Sequence, residues 1–127
     1  MSRPVAPPSG WPPPETATLA GRQVELVPLA EAIADRYFEE FPGDLERYGP
    51  AARDWEVHDT QHCLHWAVLD VEHSASLDEQ ITWLANVLLS RGFPLDQLAR
   101  NLELAASVVG ERLAEPGAPV AERLRAA

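Results

Sequence analysis

The chain has 127 residues, with 10 Lys+Arg against 20 Asp+Glu and a formal net charge of −10. That length suits one domain burying roughly two-thirds of its unfolded surface. The acidity disfavours nucleic acid phosphates and anionic membrane surfaces as partners. The longest apolar stretch, residues 81–89, contains Thr82 and Asn86, so no bilayer span is predicted. Arg3 is followed by Pro4, Pro7 and Pro8 where a signal peptide needs an apolar run. The single cysteine, Cys63, rules out an internal disulfide and points to a reducing, cytoplasmic setting. Every basic residue is arginine, which excludes lysine Schiff-base chemistry.

Residues 1–23 carry six of the twelve prolines, with Arg3, Glu15 and Arg22 as their only charged residues. Pro12-Pro13-Pro14 favours polyproline II, and the segment reads as a flexible or extended arm that packs Trp11 against the domain. From Val24 onward the pattern is helical. Pro28 suits a first turn, and Leu29, Ile33, Tyr37 and Phe41 recur at four-residue steps until Pro42-Gly43. A short helix over 44–48 ends at Gly49-Pro50. The next is predicted over 51–73, about 35 Å long. Ser76-Leu77-Asp78-Glu79 forms a capping box opening a helix with Ile81, Leu84, Val87 and Leu88, closed by Gly92. Pro94 opens a last long helix with Leu98, Leu102, Ala105, Val109 and Leu113 on one stripe. Residues 116–119 are expected to break the chain before a short terminal helix over 120–125. No segment alternates long enough to suggest a strand. The expected fold is all-α, a bundle of about five helices over 24–115, followed by a tail or short helix over 116–127.

The informative element runs from Trp55 to Trp66, because all four histidines and two of the four tryptophans fall on its helix. With His58 at zero and 100° per residue, His62, His65, Leu69, Trp55, His73 and Trp66 lie within about 80° of it. Val57, Leu64, Val68 and Val71 lie between about 220° and 280°. Asp59, Asp70, Glu56 and Cys63 fill an acidic edge between about 100° and 160°. The aliphatic seam packs on the bundle. A solvated face has no use for two indoles, and an ordinary core face does not carry three imidazoles in a row. Indole planes with imidazole donors suit a flat, conjugated, polar-edged ligand. Ordinary packing explains each residue taken singly, so the cluster carries the argument, and a dimer interface is the competing use of the seam.

His58 and His62 have the i, i+4 spacing of a metal pair, and Asp59-x-x-His62 echoes di-iron bundles. The other helices offer no Glu-rich interior, so a di-iron site is not expected. One imidazole, His62 or His58, suffices as an axial haem ligand. Cys63 beside His62 points about 100° away from it, which does not suit a cysteine protease. It reads as a small buried residue or as a thioether anchor for a ligand vinyl group. There is no Gly-rich phosphate loop and no GxSxG elbow, and no acid, base and nucleophile converge. An enzyme is not expected.

Leu29-Ala30-Glu31-Ala32-Ile33, Tyr37-Phe38 and Glu46-Arg47-Tyr48-Gly49 precede the His-rich helix. Trp83-Leu84, then Leu88-Leu89-Ser90-Arg91-Gly92-Phe93-Pro94 and Leu98-Ala99-Arg100-Asn101-Leu102-Glu103, follow it. Together, over about residues 26–115, these resemble the globin-like helical domains that precede cobalamin-binding domains in bacterial regulators. Some of those, the photocobilins, bind a bilin. The resemblance implies a globin-like fold, a biliverdin-type cofactor and a sensory or photoreceptor role, acting alone or with a separate signalling protein. On that reading Trp55 and Trp66 stack on the rings, and His58, His62 and His65 bond the pyrrole nitrogens, ring carbonyls or propionates. Asp59 accepts from pyrrole N–H groups, Cys63 is the candidate covalent anchor, and Arg53 with Arg47 pairs with the propionates. Haem on one histidine, and a ligand-free dimerisation module, are the alternatives.

Overall fold

A computed structural model describes residues 13–19, 21–49, 51–72, 76–90 and 92–126, apart from the side chains of Tyr48 and Pro116. Trp11, Pro50 and His73 lie outside the described residues, as do residues 1–12 of the expected arm. The chain is mostly helical, and the strict all-α expectation needs one correction. Thr16–Leu19 (β1) and Arg22–Glu25 (β2) form an antiparallel hairpin in the register Thr16↔Glu25, Ala17↔Val24, Leu19↔Arg22. Gly21, at φ +79°, supplies the left-handed residue that a tight hairpin turn needs. Ala17, Leu19 and Val24 point inward, and Leu19 is buried in the core. Four residues a strand give too few alternations to be legible by period, which is why this segment reads as an arm.

Leu26 donates its N–H to the Glu15 carbonyl at 2.8 Å, which leads the hairpin directly into α1, Leu26–Glu40. Its buried residues, Leu26, Leu29, Ala30, Ile33, Ala34 and Tyr37, recur every three or four positions and face the core. A short α2, Gly43–Tyr48, turns the chain into the central α3, Ala52–Val71. Helix α4, Leu77–Ser90, begins where Ser76 Oγ accepts the Glu79 N–H at 3.3 Å, as the capping box predicts. It ends where Gly92, at φ +74°, lets Phe93 donate its N–H to the Leu88 carbonyl at 3.0 Å.

Helix α5 spans Leu95–Ala126 and is broken at Ala114, whose φ of 52° and ψ of −132° are non-helical. The break comes before the expected prolines, and Gly117 explains where the chain goes next. A Cβ there would stand 2.6 Å from Leu113 Cβ and 2.9 Å from the Val109 carbonyl, so the second segment folds tightly onto the end of the first. Val120, Ala121 and Leu124 of that segment join the core. The residues expected to form a tail or short helix are helical and close the bundle.

Helix α1 packs chiefly on α3 and α5, while α4 packs on α3 and α5 from the other side. Arg100 holds Glu40 through two 2.8 Å bonds, and Arg36 reaches Glu111, both tying α1 to α5. Asp70 accepts from Arg123 at 2.7 Å and from the Leu77 N–H at 2.8 Å, joining the ends of α3 and α5 to the start of α4. No described helix is long and apolar enough to cross a membrane.

Candidate functional site

Helix α3 sits between two spaces. Its core face is Thr60, Cys63, Leu64, Ala67 and Val68, all buried, with Val57 and Val71 packed at the margin. The His/Trp seam faces a groove of about 260 Å³ between α3 and α4. Trp55, His58, Asp59, His62 and Trp66 form one wall, and Trp83, Leu84 and Val87 of α4 form the other. The α3 rings touch in series. Trp55 meets His58 edge-on at 5.2 Å, His58 meets His62 edge-on at 4.9 Å, and His62 stacks on Trp66 at 5.6 Å and 27°. Helical spacing of three or four residues produces this series, since such positions are surface neighbours.

The series holds each ring in place along the groove. Trp83, 59% exposed, faces it across the groove. His58 Nδ1 lies 3.0 Å from Asp59 Oδ1, a pairing that orients the imidazole. Burial, reinforced by His58, lowers the pKa of His62 and keeps its imidazole neutral at pH 7.

The second space is an inner cavity of about 80 Å³ on the other side of Trp55, Asp59 and Leu84, which line both. Three of the four residues of the predicted acidic edge, Glu56, Asp59 and Cys63, face it, while the fourth, Asp70, ties α3 to α4 and α5. Glu56, Asp59 and Cys63 come from α3, Asp44 from α2, and Gln97, Leu98 and Asn101 from α5. Burial pushes the Glu56 carboxyl well above the usual carboxylate range, against a 3.1 Å hydrogen bond from Thr60 Oγ1. Asn101 Nδ2 donates to the same Thr60 hydroxyl at 3.1 Å. Asp44 accepts from the Tyr37 hydroxyl at 2.6 Å and from Gln97 Nε2.

The groove thus gathers five of the eight sequence-predicted site residues. Arg53 is elsewhere, paired at 2.8 Å with Asp35 of α1. Cys63 lies against the inner cavity at 1% exposure, and burial beside Asp59 and Glu56 pushes its thiol pKa far up. His65 lines neither space, and burial lowers its pKa. Sequence reasoning missed Trp83, although it stands off the Ile81, Leu84 and Leu88 stripe that buries α4. It also missed Asn101, a polar residue inside the apolar stripe of α5. Among the described residues no three His, Cys, Asp or Glu side chains are grouped to hold a metal ion.

No protein-family model, curated protein or solved structure matches the chain.

Proposed function

We propose that this chain is a globin-like domain that binds a linear tetrapyrrole of the biliverdin type in the α3–α4 groove and serves a sensory or photoreceptor role. One observation carries the reading: Trp55, Trp66 and Trp83 flank two imidazoles along a groove of about 260 Å³, which seats part of such a chromophore and leaves the remainder over its rim. Indole and imidazole faces suit an extended conjugated ring system, and the imidazole nitrogens offer polar partners to its edge. The bilin supplies visible absorption when bound.

His58 and His62 orient it, and Asp59 accepts from its pyrrole N–H groups. The groove lining contains no arginine, so the propionates extend to the open, solvent side. Cys63, buried behind Asp59 as a neutral thiol, does not reach the groove, and the bilin is held without a covalent bond.

Haem is the second reading, favoured by the Asp59-oriented imidazole of His58, since one such nitrogen suffices as an axial ligand. Absorption of the purified protein separates the two. Biliverdin should give a saturable, red-shifted visible band that is lost from the protein on denaturation. Haem with a Soret band abolished by His58→Ala, and no response to biliverdin, would replace the first reading with the second. Uptake of neither, with a stable dimer weakened by Trp66→Ala, would leave the seam as an interface for a second copy or a signalling partner.

A further inference from the structure

We infer that the inner cavity between α3 and α5 is a separate binding site for a small organic cation of methylammonium size, held by the Asn101 carbonyl and the Asp59 carboxylate. Asn101 is 5% exposed, and its Nδ2 is engaged by Thr60. Its Oδ1 is buried and has no hydrogen-bond partner among the described residues, although the side chain lines the cavity. A buried acceptor left without a donor is costly, so the arrangement calls for a guest that brings N–H groups.

The surroundings decide the charge of that guest. Asp44 and Asp59 bring carboxylates to the cavity, Glu56 lines it in the neutral, protonated form that burial favours, and no arginine does. Arg53, whose charge reaches Glu56, is itself paired with Asp35 on the α1 side. Carboxylates in a wall of low dielectric attract a cation, and the aromatic rings of Trp55 and Phe93 on the same wall add cation–π attraction. Size sets the rest. About 80 Å³ is roughly half of the 150 Å³ cavity that accepts benzene, which admits an ammonium bearing one or two carbons and excludes bulky tetraalkyl cations. The site shares Trp55 and Asp59 with the groove and is told apart from it by Asn101, which lines only the cavity.

Titration of the full-length protein with methylammonium chloride, followed by ¹H–¹⁵N NMR at constant ionic strength, tests this. The Asn101 side-chain amide and the Trp55 indole N–H should shift saturably. Sodium chloride and tetraethylammonium should leave both in place. Asn101→Asp, an isosteric change that adds charge, should tighten binding at least fivefold, and Asp59→Asn should weaken it at least fivefold. Equal shifts with tetraethylammonium, an unmoved Asn101 amide, or equal affinity for neutral acetamide would overturn the assignment. If Asn101→Asp fails to fold, the wild-type titration and Asp59→Asn still decide.

Discussion

The two spaces beside α3 differ in size and in the chemistry of their linings, although Trp55, Asp59 and Leu84 belong to both. The groove is the larger, aromatic and lined with imidazoles, with its far wall a tryptophan that is 59% exposed. The inner cavity is small and acidic, and it is reached by side chains from four other elements of the bundle. A helix turns 100° per residue, so neighbours such as His62 and Cys63 can serve environments of opposite character. Residues that fill the core thus stand on the same helix as residues that line an unfilled space.

Truncation on the two sides should therefore produce opposite signatures. Leu64, 1% exposed on the core face, should cost about 3 kcal/mol of stability when changed to Ala, through lost burial and the void left behind. Chemical denaturation measures it. The surviving folded fraction should bind biliverdin as the parent does. Trp83→Ala should leave the denaturation midpoint nearly unchanged while weakening biliverdin binding about tenfold, about 1.4 kcal/mol. A large stability loss from Trp83→Ala would show that the groove is closed by protein contacts, and the comparison would fail.

A smaller effect probes the acidic side. The folded protein holds a proton on Glu56 at pH values where the unfolded carboxyl, near 4.5, has lost it. Folded molecules bind more protons there, so stability falls as pH rises from about 4.5 toward the folded-state value. Glu56→Gln should raise the thermal midpoint by a few degrees at pH 8, and the gain should vanish near pH 4. A constant gain across that range would mean that the glutamate acts by packing alone.

How much of this was legible depends on whether the signal lies within one element. The α1 stripe from Leu29 to Tyr37 and the Ser76 and Gly92 caps of α4 are local patterns, and the structure follows them. The α3 half of the groove was equally legible, because clustering of His and Trp on one face needs only the helical period. The other half was not. Trp83 becomes part of a wall only once α4 docks beside α3, and Asn101 becomes an orphan only once α5 brings it to Thr60. Arg53 lies off the groove for the same reason, since its partner Asp35 of α1 is invisible from α3 alone. The hairpin was lost to shortness, and the break in α5 came at Ala114, while the proline signal pointed to Pro116.

The smallest effect sharpens the groove side. His62 gives up its proton more readily in the folded state than at the usual value of 6.5, because burial and the neighbouring His58 disfavour the charged ring while Asp59 partly offsets them. Below 6.5 the unfolded chain takes up a proton that the folded chain refuses. Stability is therefore full above 6.5 and falls as pH drops from there through the folded-state value. His65 shifts in the same direction, so His62→Gln should remove only part of the slope and His62→Gln with His65→Gln more of it. Thermal melts between pH 7.5 and about pH 5 measure this. A bilin seated against His62 excludes further water, so its saturating presence should steepen the loss without moving its onset, which the unfolded imidazole sets. A slope indifferent to both ligand and His62→Gln would place the titrating group away from the groove, and the two sides of α3 would no longer be distinguishable by their protons.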